Sequence, residues 1–429
     1  MNKLFLLLLA GVFLYGCEED QIQPPQKDTP NNLTEKQSVK EIEKVKEKEP
    51  KAPPIAATQE QAQALVAGNN AFAFEIFKTI APEGNFVFSP YSISFAMGLA
   101  TVGAAGKTAS ELQEVLAFPD QGELLAKEFN LVYDKTVSQA EGFQFACANS
   151  LWLNENFKLN ESYQKLVQEN FHGEAETLPF DRDSKKSADR INSWISDNTL
   201  KLIQNLLTPE QVGGTRLILV NAVSFLAKWE SYFEARGTHD QNFRLENGTD
   251  IKVPLMYRDG TVAFGRTNGV LALEMNYRGG KYSMLVLMPE EVEKFRAFEK
   301  DLDAEKLNLY LSSIGYENAK LFFPKFEISW GDSLVASFQK LGLNLPFSGG
   351  ADFSGLTTAE RLYISDIIHR AVIKVDEEGT KAAAVTAIMA KATAIMRQEI
   401  VRINKPFVYL IREKETGSIL FLGHFTGLK

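Results

Sequence analysis

Histidine and cysteine are scarce in this chain of 429 residues. It contains four histidines and two cysteines, which are His172, His239, His369, His424, Cys17 and Cys147. No pair of them has metal-ligand spacing, and neither G-x-S-x-G nor H-E-x-x-H occurs. We therefore expect no metal site and no cofactor, and nothing supports a hydrolase built on a base such as His369. That histidine lies in an apolar strand pattern, so we expect it to be hydrogen-bonded in the interior.

A basic surface is also missing. Lys and Arg number 46 against 55 Asp and Glu, which gives a net charge of −9, and no long basic run occurs. These features argue against a nucleic-acid partner and against a polyanion cofactor. What is present is ordinary globular composition, 45% hydrophobic and 24% charged. Helix-like patterns dominate the first half and strand-like patterns the second, which indicates an α+β fold.

The N-terminus has the pattern of an export signal. Its first seventeen residues, MNKLFLLLLAGVFLYGC, place one Lys before an apolar run and small residues before Cys17. The run is too short to be a mature membrane anchor. We predict a signal peptide over residues 1–16, and the similarity to bacterial lipoprotein signals implies lipidation of Cys17. The alternative, an ordinary signal peptide with an incidental cysteine, stays open.

Residues 17–57 are predicted to be a disordered tether. They are rich in charge, Gln and Pro and cannot bury enough apolar surface to fold alone. A coil of this length has ends roughly 35 Å apart on average. We expect it to join the lipid to a folded domain over residues 58–429, in a protein exported to the outer membrane or cell surface, or shed from it. Cys147 then has no disulfide partner and is expected to be a buried thiol.

Local patterns predict several elements of the folded domain. Ser89 can cap a buried helix that Pro90 opens. GAAGKT at 103–108 is a turn between helices rather than a phosphate loop, since the first glycine of that loop would fall at Thr101. DSKKSADRINSWISDNTLKLIQNLL is predicted to be one amphipathic helix, and TRLILVNAVSFLAKWE a strand covered on both faces. The last two strands form a hairpin around KETG.

One long segment has no fixed local preference. Between Thr380 and Lys405 there is no glycine and no proline, although strand-like sequences flank the segment on both sides. Its Ala-rich part favours a helix in isolation. As a strand, one face would carry only small or apolar, uncharged residues, namely Thr380, Ala382, Ala384, Thr386, Ile388 and Ala390. Helix, loop and strand therefore all remain open.

Five motifs in order resemble the serpin family over residues 58–429. They are NFVFSPYSISFAMGLATVGAAGKTASEL, INSWISDNTLKLIQNLL, LILVNAVSFLAKWE, VDEEGTKAAAVT and NKPFVYLIREKETGSILFLGHF. The resemblance implies the serpin fold, with three β-sheets, eight or nine helices and an exposed reactive-centre loop at about 377–400. The unassigned segment falls in that loop.

The resemblance also implies a function. Such a protein is a serine protease inhibitor and not an enzyme, because its cleaved loop inserts into the central sheet and traps the acyl-protease. We expect a monomer that acts on trypsin-like, elastase-like or subtilisin-like proteases and protects a bacterial cell from host or competitor enzymes. Cysteine proteases remain open as further targets. The alternative is a non-inhibitory serpin that binds or stores a partner.

The resemblance assigns roles to four groups of residues. The hinge comprises Glu377, Gly379, Thr380, Ala382, Ala384 and Thr386. The breach, at the top of the central sheet, comprises Trp229 and Lys325, with Lys325 paired to Glu377. The shutter, a polar cluster beneath the sheet, comprises Asn85, Ser89, Ser92, Asn221 and His369. Counting seventeen residues from Glu377 places the reactive bond at Thr393–Ala394, and alternative sites are Lys391, Ala392, Ile395, Met396 and Arg397.

Overall fold

A capping box starts the first helix. The Gln61 N–H donates to the Thr58 hydroxyl (3.2 Å), and the Gln61 side chain accepts from the Thr58 N–H (2.9 Å). This computed structural model describes residues 55–80, 82–137, 143–358, 362–379 and 398–427. The predicted signal peptide, Cys17 and all but the last three residues of the predicted tether lie outside the described residues.

The described residues form ten α-helices. They are α1 (Gln59–Ile80), α2 (Pro90–Gly103), α3 (Gly106–Leu116), α4 (Gly122–Thr136), α5 (Glu161–Asn170), α6 (Ser184–Asn198), α7 (Pro209–Val212), α8 (Phe295–Asp301), α9 (Ala304–Ser312) and α10 (Val335–Lys340). Ser89 caps α2, and Gly103 and Gly106 bound the turn before α3, as predicted. Within this part of the chain, no helix combines the length and apolarity needed to cross a bilayer.

Fourteen strands complete the described structure. They are β1 (Phe86–Phe88), β2 (Phe143–Asn154), β3 (Glu174–Leu178), β4 (Leu217–Ala227), β5 (Glu234–Arg244), β6 (Asp250–Thr267), β7 (Val270–Asn276), β8 (Tyr282–Pro289), β9 (Gly315–Pro324), β10 (Phe326–Ser333), β11 (Asp366–Val375), β12 (Glu399–Arg402), β13 (Phe407–Glu413) and β14 (Ile419–Phe425). The hairpin predicted around KETG is formed by β13 and β14.

A five-stranded sheet has the order β10-β11-β4-β2-β3. Its strand β4 is covered on both faces, as its long apolar run predicts. Leu219, Val223 and Phe225 belong to the main core, whereas Val220 and Ala222 belong to a second core beneath α6. Since alternate residues of one strand face opposite sides, β4 ties the two cores together.

The other nine strands form one hydrogen-bonded sheet, in which the long strand β6 joins two parts. One edge of β6 pairs with β9, and the other pairs with β5 near its start and with β7 near its end. The described strands thus form two hydrogen-bonded sheets. Counting the two parts of the larger sheet separately gives the three sheets that the serpin resemblance implies. The described residues form ten α-helices where eight or nine helices were expected, and α7 is a single turn.

The amphipathic helix predicted to reach the end of QNLL is shorter. Helix α6 ends at Asn198, and after its C-cap Thr199 the residues Leu200 and Lys201 have the positive φ angles 55° and 59°, which no α-helix accommodates. The following segment folds back, because the Asn192 side chain bonds both the N–H (2.9 Å) and the carbonyl (2.8 Å) of Leu207. The prediction was wrong because this side-chain contact overrides the local apolar period.

A buried carboxyl in α4 makes stability depend on pH. Glu128 is fully buried, and neither of its carboxyl oxygens has a hydrogen-bond partner among the described residues. Burial, reinforced by the nearby Asp120 carboxylate, raises the pKa of Glu128 from 4.5 to about 8. The folded chain therefore holds a proton that the unfolded chain releases, and stability falls as the pH rises through this window.

We predict that Glu128→Gln has little effect at about pH 5 and raises the melting temperature by about 4 °C at about pH 9. The amide stays neutral where the native carboxyl must ionise. Thermal denaturation at both pH values measures the effect, with Glu123→Gln on an exposed turn of the same helix as the control. Equal shifts at the two pH values would contradict the account.

Candidate functional site

Strands β4 and β11 lie side by side and run parallel. Their paired residues extend from Ile218 with Asp366 to Ser224 with Val372. Both strands continue for three more residues. In these residues β4 pairs only with β2, and β11 pairs only with β10. The five-stranded sheet is therefore already open between β4 and β11 at this end.

The residues after β11 are held at the open end by the chain that follows β4. The N–H of Trp229 donates to the Glu378 carbonyl and the N–H of Phe233 donates to the Glu377 carbonyl, both at 2.9 Å. The indole N–H of Trp229 adds a bond to the Asp376 carbonyl (3.0 Å). Three donors thus fix the direction in which the chain leaves the sheet.

Gly379 ends this anchored turn. Its φ angle is 137°, and a Cβ at this position would lie 2.2 Å from the carbonyl oxygen of Ala227 and 2.5 Å from the Cα of Lys228. Any side chain would displace the end of β4, so the turn requires glycine here.

An ion pair holds the same turn from its other side. Lys325 donates to one carboxylate oxygen of Glu377 (2.7 Å), and Thr238 donates to the other (2.7 Å). Burial raises the pKa of Glu377, but the bonds from Lys325 and Thr238 outweigh it, so the pKa lies below its ordinary value. Glu377 is therefore ionised at neutral pH. Lys325 and Glu377 were both singled out from the sequence, whereas Thr238 was not.

Trp229 is buried in an aromatic group. Its ring stacks on Tyr277 at 4.5 Å and meets the edge of Phe233 at 6.4 Å. This packing keeps the indole N–H directed at the Asp376 carbonyl.

A polar cluster crosses the sheet below the open end. Asn149 of β2, Asn221 of β4 and His369 of β11 are neighbours in register, so they form one row across three strands. Asn221 donates to the Ser92 hydroxyl and to the Asn149 side-chain oxygen. Ser89, the cap of α2, donates to the Leu420 carbonyl (2.6 Å) and its N–H contacts the His369 ring. The row therefore joins the strands to α2 and β14.

The environment of His369 fixes its protonation. The N–H of Ser89 can only donate, so the Nε2 atom 3.2 Å away must accept and carries no proton. Nδ1 then carries the proton and donates to the Asn221 oxygen, which bridges β4 and β11. Complete burial lowers the pKa of His369 to about 3. The histidine is a neutral interior bridge, in line with its apolar surroundings in the sequence.

Sequence reasoning missed two members of this cluster. Cys147 lies 2.8 Å from the Ser92 hydroxyl and accepts from the Asn149 amide (3.1 Å). Cys147 was expected to be buried, but the structure leaves it partly buried. Loss of solvation raises its pKa to about 11, so it is a thiol. The sequence does indicate that these two residues are neighbours. Residues two apart on a strand share a face, so Cys147 and Asn149 lie on the same face of β2.

Asn85 lies apart from the other four residues assigned to the shutter. Its side chain accepts from the N–H groups of Thr426 (2.8 Å) and Gly427 (3.2 Å), and it also donates to the Gly427 carbonyl. It therefore holds the segment after β14 rather than the row across the sheet.

The remaining candidates lie outside the described residues. They are Cys17, Thr380, Ala382, Ala384, Thr386, Lys391, Ala392, Thr393, Ala394, Ile395, Met396 and Arg397. Beyond them the chain continues as β12, which pairs with β9. In the part of the chain that the structure describes, no three His, Cys, Asp or Glu side chains are grouped as a metal site requires.

Comparison with known proteins places this geometry in a family. The model of the family Serpin (serine protease inhibitor) matches residues 67–427. The chain belongs to the serpin family. An uncharacterized serpin-like protein of Thermococcus kodakarensis is 32% identical, over 100% of this chain and 99% of its own. Leukocyte elastase inhibitor A of Rattus norvegicus is 32% identical, over 84% of this chain and 98% of its own.

Solved structures confirm the serpin fold. Serpin48 of Tenebrio molitor has a TM-score of 0.77 at 28% identity, and the match covers 86% of this serpin and 99% of that chain. Native tengpin, a thermophilic serpin, has a TM-score of 0.77 at 26% identity, over 85% of this serpin and 94% of that chain. The family is one of protease inhibitors, and several relatives of this serpin are named as inhibitors.

The neutral state of His369 gives this serpin a pH dependence. The ring's pKa is about 3 when folded against 6.5 when unfolded. The unfolded chain therefore binds an extra proton between these values, and stability falls as the pH drops below 6.5. We predict a loss of about 2 kcal/mol from this group between about pH 7 and pH 5.

Comparing His369→Gln with the unchanged chain at both pH values measures this contribution. The variant should show a flatter decline in denaturant midpoint, and His239→Gln, at an exposed position, should decline as the unchanged chain does. A decline in His369→Gln as steep as in the unchanged chain would refute the assignment.

Proposed function

We propose that this serpin is a suicide-substrate inhibitor of serine endopeptidases. A protease cleaves the segment that follows Gly379, and the N-terminal part of that segment then enters the five-stranded sheet between β4 and β11. The protease remains attached as an acyl-enzyme and is displaced with the strand. The observation that supports this best is the opening between β4 and β11, at the point where the candidate loop is anchored.

The strand directions suit such an insertion. The segment after Gly379 follows β11 in the chain through a turn, so on insertion it would enter the sheet antiparallel to β11. Because β4 runs parallel to β11, the new strand would be antiparallel to both neighbours. Its even-numbered residues from Thr380 to Ala390 are small or apolar and carry no charge, so one face can pass into the core.

Insertion releases free energy. A strand of about a dozen residues adds ladder hydrogen bonds, each worth roughly 0.5–1.5 kcal/mol net, and buries apolar surface. The uncleaved form is then held above its most stable state by a kinetic barrier. That barrier includes the Trp229 anchor, the Lys325–Glu377 pair and the His369–Asn221 bridge, since each must break or shift before the strands separate.

Several bonds of the loop suit different proteases. Thr393–Ala394 is the reactive bond by the count from Glu377. Lys391 and Arg397 suit trypsin-like enzymes, Ala392 and Thr393 elastase-like enzymes, and Met396 chymotrypsin-like enzymes. We propose that the loop inhibits more than one protease through different bonds.

The N-terminus supports a proposal about location. A signal peptide over residues 1–16, a lipid on Cys17 and a tether over residues 17–57 would hold a monomeric inhibitor at the outer membrane or cell surface. There it would protect a bacterial cell from host or competitor proteases.

Two neighbouring substitutions test the mechanism. Thr386→Arg places a charge on the face predicted to enter the core, and Ala387→Arg places the same charge on the opposite face. With elastase, which does not cleave after arginine, we expect Ala387→Arg to form an SDS-stable complex as the unchanged chain does. Thr386→Arg should still be cleaved but should form at least about tenfold less complex, because the cost of burying the charge slows insertion. Equal complex formation by the two variants would contradict the mechanism.

Complexes of the unchanged chain with trypsin and with elastase locate the reactive bond. The C-terminal peptide released from each complex has a mass that identifies the cleaved bond. We expect different peptides from trypsin and elastase. One identical cut with both enzymes would contradict the use of several bonds.

A further inference from the structure

A cavity of about 200 Å³ lies beside the aromatic anchor of the hinge. Trp229, Arg258, Met275 and Tyr316 are among the residues that line it. Trp229 is one wall of the cavity and also the donor to the Asp376 carbonyl. Tyr316 is 68% exposed at the rim, so the cavity communicates with solvent beside an aromatic ring.

Arg258 is a buried cation without a matching anion. It is 9% exposed, and among the described residues it forms no ion pair and its Nε has no hydrogen-bond partner. Its Nη1 donates to the Thr261 carbonyl (3.3 Å), and its guanidinium lies 5.8 Å from the Phe233 ring centre. Burial lowers the pKa of Arg258, and no carboxylate offsets that effect. A buried charge is costly unless it is paired, so a bound anion would stabilise this site.

The acidic residues of the cavity are already engaged. Glu274 accepts from Ser283 (2.8 Å) and lies 3.4 Å from Arg412, while Glu230 accepts from the Asn276 amide (2.9 Å). Among the described residues, neither carboxylate forms an ion pair with Arg258. They disfavour a dianion in the same space, which selects a singly charged ligand over inorganic phosphate or sulfate.

We propose that this cavity binds a small aromatic monocarboxylate. The carboxylate would pair with the Arg258 guanidinium, whose planar donors match its geometry. The ring would pack against Trp229 and Met275 and beneath Tyr316, where aromatic and thioether contacts are favourable. The cavity volume suits a ligand of the size of benzoate, and the Arg258 guanidinium supplies the opposite charge for its carboxylate.

Calorimetric titration of the full chain with benzoate tests the proposal. We expect one site, and Arg258→Met should weaken binding by at least about tenfold through loss of a charge-assisted hydrogen bond. Arg258→Lys keeps the positive charge but loses the planar pair of donors, and it should bind benzoate with intermediate affinity. Arg266→Met removes an exposed arginine from the same strand and should bind as the unchanged chain does.

Ligand controls separate charge from shape. Benzamide, which is neutral and has the same shape, and acetate, which lacks the ring, should each bind at least about tenfold more weakly than benzoate. Arg258→Met should also melt at a higher temperature than the unchanged chain, because it removes an unpaired buried charge. The proposal would be overturned if benzoate did not bind, or if Arg258→Met bound it as tightly as the unchanged chain. It would also be overturned if benzamide or inorganic phosphate bound more tightly than benzoate, or if Arg258→Met melted at a lower temperature than the unchanged chain.

Discussion

The anchored turn and the polar row are both built around the parallel contact between β4 and β11. Seven residue pairs join these strands, and the contact stops three residues before either strand ends. Both strands are fastened on their outer edges and face packed cores, so they can separate only if the two halves of the sheet move apart as units. Such a contact is cooperative, and one inserted strand would replace it with two new ladders. The anchored turn at Glu377–Gly379 and the polar row at His369 lie at the two levels where we propose that this separation is controlled.

Those two levels use different chemistry. At the open end, an ionised carboxylate with two side-chain partners fixes the turn, and a stacked indole adds a third point of attachment. Lower down, neutral amide, imidazole and hydroxyl groups link the strands through bonds that satisfy one another. Neutral directional bonds can be exchanged at moderate cost, whereas a buried charge left unpaired would be expensive. The row between the strands is therefore suited to opening, and the charged pair sits at the rim, where Lys325 is 42% exposed.

The sequence predicts much of this fold from local patterns. The Ser89 cap, the turn at Gly103–Gly106, the doubly covered strand β4 and the C-terminal hairpin all follow from capping residues, glycine positions and apolar period. Contacts that depend on strand register or on chain reversal are harder to predict. Cys147 and Asn149 belong to the same polar cluster as His369 only because the register of β2, β4 and β11 brings them together. Helix α6 ends early because the Asn192 side chain bonds the backbone of Leu207. The site was found because its residues resemble a family, since no local rule brings Lys325, Trp229 and Glu377 together.

We propose that the intact serpin is held above its most stable state. Thermal denaturation of the intact chain, and of the same chain after cleavage in the loop, compares the two states. We expect the cleaved chain to melt far higher, because the inserted strand would fill the space between β4 and β11. A cleaved chain that melts at the same temperature as the intact one, or lower, would contradict it.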